Sequence, residues 1–299
     1  MNDIASPAPS RSSDLPPPRQ TGRRPPASFF ALGCHAPPEE IQSGGRRYRR
    51  RRVFKHDFFA ATGLYEEVNP HPGAGGMENA QTPSARGIDS PATAGGQGQQ
   101  VVLKIQRTYP LFGFPMQWLG RLAARHETAV FRRLQGIAGI PEFLGEFGPT
   151  GYLHAFVPGR DLGPAGQPDA AFFQALFELL TMIHARHVAY VDTNKRENIL
   201  QGDDGRPHLI DFQISFIARR GARDNFAARW ILRRLQAEDW YHYYKHKTRL
   251  APQICTPADF QRAGNRSWYI RLHRRIAQPV IRWRRRFLAR YNNPAPGRR

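Results

Sequence analysis

Residues 190–213 read YVDTNKRENILQGDDGRPHLIDFQ, and this pattern constrains the fold more than any other part of the chain. Two short apolar segments, Ile199–Gln201 and His208–Ile210, are separated by Asp-Asp-Gly, which predicts a β-hairpin. Directly upstream, residues 170–187 predict a helix because their apolar side chains recur on one face. Those side chains are Phe173, Leu176, Leu180 and Ile183.

Polar side chains flank both strands of the predicted hairpin. Asp192, Lys195 and Asn198 precede its first strand, and Asp211 follows its second strand. If the hairpin returns Asp211 beside the loop, two carboxylates and one amide share a single site. Oxygen ligands of this kind hold Mg²⁺ on nucleotide phosphates, and one carboxylate remains to receive a hydroxyl proton.

A lysine interrupts an apolar strand earlier in the chain. The strand is predicted over Gln100–Arg107, and alternation places Lys104 on the face opposite its most apolar neighbours. An unpaired buried ammonium is costly, so Lys104 needs an anionic partner or ligand. Glu127 lies on a predicted helix over Met116–Leu134, on the side of its apolar residues. We expect Glu127 to pair with Lys104, the arrangement that positions a lysine on nucleotide phosphates.

In this order and spacing, these residues resemble the motifs of the protein-kinase-like superfamily. The motifs are VVLKI around Lys104, HETAVFRRL around Glu127, YVDTNKRENIL for the catalytic loop and LIDFQ for the metal-binding segment. They cover about residues 47–250. Among the branches of the superfamily, the chain is most similar to the small bacterial lipopolysaccharide-kinase-like proteins, which phosphorylate Kdo or heptose sugars. The resemblance implies an α+β, two-lobed kinase-like fold.

The resemblance also implies a nucleotide site that uses ATP. Lys104 would bind the α- and β-phosphates and pair with Glu127. The backbone of Ala155, Phe156 and Val157, in YLHAFVPG, would be the hinge that hydrogen-bonds the adenine.

The catalytic roles follow from the same resemblance. Asp192 would orient the acceptor hydroxyl and accept its proton, while Lys195 would steady the transferred phosphoryl group. Asn198 and Asp211 would ligate Mg²⁺.

The chain departs from the family pattern in the loops around the site. Phe58–Gly63 reads FFAATG where a GxGxxG motif would cover the phosphates. Five residues separate Asp192 from Asn198, where four are usual, so a gapless alignment would put Thr193 at the base position. Gln213 replaces the glycine of the metal-binding motif, which stiffens that segment.

The acceptor is constrained by a missing segment. About a dozen residues separate Gln213 from the next predicted helix, and no Ala-Pro-Glu follows, so an activation loop that presents a peptide has no room. Together with this missing segment, the resemblance implies an ATP- and Mg²⁺-dependent kinase that phosphorylates a hydroxyl of a lipopolysaccharide-type sugar or another small or lipid-linked acceptor. Two alternatives remain open: a pseudokinase-like nucleotide-binding scaffold and a serine/threonine protein kinase.

Composition divides the chain into four parts. Residues 1–45 contain nine prolines and predict a disordered leader. Residues 46–157 would form the N-lobe, interrupted at 68–99 by a floppy insertion rich in glycine and proline. Residues 158–250 would form the C-lobe, and residues 251–299 a basic amphipathic extension.

Charge indicates the kind of partner. The net charge is +20, and from Ser215 onward 21 Arg and Lys stand against 4 Asp and Glu. This asymmetry predicts a polyanionic partner, although a solvated basic surface would also explain it. Residues 267–288 interleave aromatic and aliphatic residues with arginine, which suits an interfacial helix on anionic lipid or a helix that packs on the C-lobe. Leu111–Gly120 is apolar and aromatic and would offer a second contact with the bilayer. Nucleic acid is the less favoured partner, because it explains the charge but not the residues of the cleft.

Location follows from what the sequence lacks. No apolar signal region opens the chain, and no run of about 18 uncharged apolar residues could span a membrane. Cys34 and Cys255 are its two cysteines, which suits a reducing compartment. We expect a cytoplasmic protein, peripheral at the inner face of the cytoplasmic membrane.

Overall fold

In a computed structural model, residues 26–68, 98–111, 113–163, 168–218 and 225–264 are described, and in them the chain forms a mixed α+β structure. The strands are β1 (Glu40–Ser43), β2 (Arg46–His56), β3 (Ala60–Glu67), β4 (Gln100–Gln106), β5 (Phe143–Phe147), β6 (Gly151–Ala155), β7 (Gly159–Asp161), β8 (Val188–Ala189), β9 (Ile199–Gly202), β10 (Pro207–Leu209) and β11 (Phe216–Ile217). The helices within these ranges are α1 (Gln117–Leu134), α2 (Ala170–Ala185), α3 (Phe226–Leu250) and α4 (Pro257–Gly264).

The first half of the described chain builds a curled antiparallel sheet in the order β1-β2-β3-β4-β6-β5. Alternation along β4 decides its two faces. Leu103 and Ile105 pack with Tyr65 of β3 in an apolar cluster on one face. Lys104 points to the other face, where α1 packs, as its position in the sequence predicted. Gly120 lets α1 approach closely, because a Cβ there would collide with the carbonyl oxygen of Arg107 at the end of β4.

The second half is mainly helical. Asp169 begins α2 by accepting a hydrogen bond from the Phe172 N–H at 2.8 Å, and Asn225 caps α3 in the same way. The predicted hairpin is present as β9 and β10, and β7 extends it to three strands. The apolar side of α1 shares one core with α2, the hairpin and α3, which fixes the sheet against the helical half. From α1 this core contains Val130, Phe131 and Leu134.

The structured part of the chain begins before the boundary that we predicted. The predicted disordered leader over residues 1–45 includes residues 26–45, but in the structure β1 pairs with β2 and buries Ile41. The guanidinium of Arg107 also donates to the carbonyl oxygens of Ser28 and Phe30, so the segment before β1 satisfies a buried charge. The high proline content of this segment predicted disorder and gave no sign of its contacts with Arg107. Residues 1–25 of the predicted leader and 69–97 of the predicted insertion lie outside the described residues.

The C-terminal boundary also moves. The predicted basic extension began at residue 251, but α4 packs on α3 and pairs its Asp259 with Lys247 at 2.9 Å. Residues 251–264 therefore belong to the helical half, and the predicted interfacial helix over 267–288 lies outside the described residues. Over the described ranges, every helix is too short or too polar to span a lipid bilayer.

Candidate active site

Lys104 lies between two carboxylates. Its Nζ atom is 2.7 Å from Oε1 of Glu127 and 2.8 Å from Oδ1 of Asp211. Only 8% of its side chain is exposed, so both charges act through little solvent. The sequence predicted the pair with Glu127 and a common site with Asp211, and the structure brings all three together.

Two further side chains satisfy Glu127, which is completely buried. Nε2 of Gln106 donates to its Oε2 atom at 3.2 Å, and the hydroxyl of Tyr152 donates to the same oxygen. Burial and the negative charge of Glu127 raise the pKa of Tyr152 well above its usual value, so its hydroxyl keeps its proton and remains a donor. Sequence reasoning missed both residues. The signal for Tyr152 is the register of the sheet, because Lys104 pairs directly with Tyr152 across β4 and β6.

Packing between α1 and the segment after β10 fixes the positions of Glu127 and Asp211 relative to each other. Phe131, four residues after Glu127, contacts Phe212, the neighbour of Asp211, with ring centroids 4.9 Å apart and nearly perpendicular. His126 connects the same elements, since its Nε2 donates to the carbonyl oxygen of Ser215 at 2.7 Å. Both contacts fix α1 against the segment after β10.

The loop before β9 forms the other side of the site. Oδ2 of Asp192 accepts hydrogen bonds from Nζ of Lys195 at 2.6 Å and from Nδ2 of Asn198 at 2.7 Å. The hairpin returns the chain as predicted: the Ile210 N–H donates to the Asn198 carbonyl at 3.1 Å, which sets Asp211 beside the loop. In this geometry Oδ1 of Asp192 and Oδ1 of Asn198 have no hydrogen bond to the described residues.

A buried carboxylate on α3 braces this loop. Asp239 accepts the backbone N–H groups of Tyr190 and Val191, each at 2.8 Å, and the Thr193 hydroxyl at 2.6 Å. His184 donates to it as well, at 3.0 Å. Asp239 is completely buried on α3, so all of these hydrogen bonds are shielded from solvent.

The brace also decides which residue faces the site. Thr193, which a gapless alignment puts at the base position, is fully buried and donates to Asp239, away from Lys195 and Asn198. Val191 takes a φ of 67°, in the left-handed region that β-branched residues avoid. That turn leaves the carboxylate of Asp192 in the site.

The pKa values of Asp211 and Asp192 are shifted in opposite directions. Burial raises the pKa of Asp211, but the ammonium groups of Lys104, Lys55 and Lys195 outweigh it and hold that pKa below its usual value. Burial raises the pKa of Asp192 above 3.8, since Lys195 opposes this only in part and the charge of Asp211 adds to it. Asp211 is thus the firmly ionised acid, and Asp192 the acid more ready to take a proton.

The predicted hinge offers fewer free groups than expected. The N–H of Ala155 donates to Glu142 at 2.8 Å and the N–H of Phe156 donates to Gln100 at 3.2 Å, so neither is available to a ligand. The carbonyl oxygen of Ala155 accepts the His154 ring N–H at 2.8 Å and keeps one lone pair. Among the described residues, no hydrogen bond engages the N–H of Val157. The Ala155 carbonyl and the Val157 N–H therefore remain as an acceptor and a donor.

The segment Phe58–Gly63 does not form an open anion cradle. Asp57 turns the chain between β2 and β3, and its Oδ1 accepts the N–H groups of Phe59 at 2.8 Å and Ala60 at 3.1 Å. The rest of the segment pairs as β3 with β4. A carboxylate of the chain itself thus occupies the N–H groups of Phe59 and Ala60, so they are not available to phosphates.

The donor set fits a magnesium nucleotide. Within the described residues, no three His, Cys, Asp or Glu side chains converge on one cation, so a metal held here needs ligands from elsewhere. Mg²⁺ is commonly bound by one or two protein oxygens, with phosphates and waters completing the shell. Asn198 and Asp211 would supply such oxygens to a bound metal, and Lys104 would supply a cation for the phosphates.

No protein-family model matches this chain, and no curated protein matches it either.

Proposed function

We propose that the chain is a two-lobed, protein-kinase-like phosphotransferase that uses ATP and Mg²⁺ to phosphorylate a hydroxyl of a lipid-linked or small acceptor, such as a lipopolysaccharide sugar. The observation that carries this proposal is the convergence of Lys104 on Glu127 and Asp211 at 2.7 and 2.8 Å. These residues come from a strand, a helix and the end of a hairpin. Protein kinases require the same lysine–glutamate pair and a metal-binding aspartate.

The residues of the site would divide the work of the transfer. Lys104 binds the α- and β-phosphates, and Lys195 steadies the phosphoryl group as it moves. Asp192 accepts the hydroxyl proton through its Oδ1 atom as the acceptor oxygen bonds to the γ-phosphorus and the bond to the β-phosphate oxygen breaks, which releases ADP. Asn198 and Asp211 hold Mg²⁺, which supplies charge neutralisation along the phosphates.

The segment after Asp211 supports a small or lipid-linked acceptor. Phe216–Ile217 pairs with β8, and α3 begins at Phe226, so the chain from Gln213 to α3 has few residues to spare. The Ser215 carbonyl is also tied to α1 by His126. An extended peptide substrate would need a longer segment on which to lie.

Exposed apolar residues on α1 and just before it support an acceptor held at a membrane. Trp118 and Leu122 lie four residues apart on α1 and are 62% and 56% exposed, and Phe114, which precedes the helix, is 72% exposed. Arg121 and Arg125 lie beside them on the helix. An aromatic face flanked by arginines suits the surface of an anionic bilayer, at the inner face of the cytoplasmic membrane.

Phosphoryl transfer tests the enzymatic part. Wild type and Asp192→Asn are incubated with radiolabelled ATP, Mg²⁺ and lipid A core extract, and the label in the lipid fraction is counted. The proposal expects transfer by wild type and a loss of at least about a hundredfold in the variant, the usual weight of a general base. Equal transfer by both proteins would remove Asp192 from this role.

Vesicle flotation tests the membrane part. The double variant Trp118→Ala, Leu122→Ala should bind vesicles containing phosphatidylglycerol more weakly than wild type does, because it buries less apolar area. Phe260→Ala removes an aromatic side chain that is 50% exposed on α4 and serves as the matched control. Equal loss in the control, or none in the double variant, would argue against this surface.

A nucleotide-binding scaffold without turnover is the second candidate. The occupied amides after Asp57 favour it, since they leave the phosphates with fewer backbone donors. If the protein binds ATP, and binds it more weakly when Lys104 is replaced, but transfers no label to any acceptor, it is such a scaffold.

A further inference from the structure

A row of three side chains crosses the sheet toward the site. Lys55 of β2 pairs with Thr62 of β3, and Thr62 pairs with Lys104 of β4. Residues that pair directly across antiparallel strands point to the same face of the sheet. Lys55 therefore shares the face on which Lys104 meets Glu127 and Asp211.

A β-bulge produces this alignment. The register of β2 against β3 shifts between Val53 and Lys55, which leaves Phe54 without a partner in β3. Without the extra residue, Phe54 would stand opposite Thr62 and Lys55 would point to the other face. Bulges commonly re-aim a side chain beside an active site.

The ammonium of Lys55 forms an exposed ion pair beside this face. Lys55 itself is 53% exposed and pairs with Asp57 at 2.9 Å. Because the ammonium keeps much of its hydration, it can exchange one anion for another at little cost.

The turn that follows Lys55 and joins β2 to β3 has a fixed position. Arg107, at the end of β4, donates to the carbonyl oxygen of Phe58 at 2.9 Å, and its guanidinium lies 4.2 Å from the centre of the Phe58 ring. Arg107 is itself buried. The tip of the β2–β3 hairpin is thereby held to the strand that carries Lys104.

We propose that Lys55 is a phosphate-binding residue that covers the nucleotide from the β2–β3 hairpin, and that it leaves Asp57 for the phosphates when ATP binds. The inference rests on the proposed function, and it assigns the covering role to a side chain. In protein kinases a glycine-rich loop covers the phosphates. Here Asp57 occupies the amides of the turn and supplies the resting partner of the lysine.

Equilibrium binding of ATP and of adenosine separates this role from a structural one. Lys55→Met should bind ATP about tenfold more weakly, the value of one charge-assisted phosphate contact, and adenosine as tightly as wild type. Arg132→Met, which removes an exposed cation paired with Glu146 at 2.7 Å, is the matched control and should leave both affinities unchanged.

The variant Asp57→Asn should change the affinity for ATP in the opposite direction. The amide oxygen of Asn can still accept the N–H groups of Phe59 and Ala60, so the turn keeps its shape while Lys55 loses its anionic partner. ATP should then bind about two- to fivefold more tightly, since an exposed ion pair no longer competes. A thermal melt of each variant confirms that it is folded.

The outcomes distinguish the two proposals. If wild type binds ATP and Lys55→Met binds it equally well, Lys55 has no phosphate contact, while the proposed function stands. If Lys55→Met weakens adenosine as much as ATP, the effect is structural and the inference fails. If wild type binds neither ligand, the proposed function fails, and the inference falls with it.

Discussion

Replacing Asp239 with Asn removes the charge that holds the loop before β9, with almost no change in volume. The carboxylate accepts four hydrogen bonds, from Tyr190, Val191, Thr193 and His184, and it is fully buried. An amide has one acceptor oxygen, and its NH₂ group meets donors where the second carboxylate oxygen stood. Breaking a buried charged network of this kind costs about 3–5 kcal/mol.

Two measurements report the loss of the hydrogen bonds to Asp239. The unfolding midpoint should fall by roughly 10 °C for a domain of this size. Amide hydrogen exchange in the peptide containing Tyr190 and Val191 should accelerate more than in the rest of the chain, because their N–H groups lose their acceptor. The strained φ of Val191 then has no bond to maintain it.

Asp259→Asn is the matched control. Asp259 is also a buried carboxylate, and it accepts from Lys247 and from the Thr256 N–H, both at 2.9 Å, but its bonds join α3 to α4. This variant should lower the midpoint without faster exchange in the loop. Wild-type exchange at Tyr190 and Val191 in Asp239→Asn would refute the brace.

Three further predictions concern packing and pH. Gly120→Ala should destabilise the fold by about 1–3 kcal/mol in urea unfolding, because the methyl group meets backbone, whereas Gly264→Ala, with open space around it, should not destabilise. The acid limb of the pH–rate profile should lie above 3.8, since the pKa of Asp192 is raised, and Lys195→Met should move it to higher pH by removing a cation that lowers that pKa. Burial lowers the pKa of His246 from 6.5 to about 4, so between these pH values the unfolded chain binds a proton that the folded chain does not. The free energy of unfolding should therefore fall by up to about 3 kcal/mol as the pH drops from 6.5 to 4. A thermal unfolding midpoint that stays constant in wild type over that range, or one that falls equally steeply in His246→Gln, would contradict this.

Spacing and alternation were enough to find the charged centre of the site. Lys104 stands out because it interrupts an apolar strand, and Glu127 because it lies on the apolar side of α1. The Asp-Asp-Gly turn brought Asp211 beside the loop, since a short hairpin leaves few other arrangements. These inferences needed only local periodicity.

The rest depends on contacts between distant segments. Tyr152 reaches Glu127 through the pairing of β4 with β6, and Lys55 reaches the site through a bulge, neither of which a single strand reveals. Arg107 is satisfied by carbonyl oxygens far away in sequence, so its role in ordering residues 26–30 leaves no pattern. For the same reason the proline-rich composition before β1 led to a wrong boundary.

A manganese position measured in a complex with a non-hydrolysable ATP analogue tests the central claim most directly. Crystals grown with Mn²⁺ in place of Mg²⁺ would give an anomalous difference peak at the metal. The account predicts a peak in contact with Oδ1 of Asn198 and the carboxylate of Asp211, with Lys104 on the α- and β-phosphates. A metal bound elsewhere, or an analogue bound away from Lys104, would contradict it.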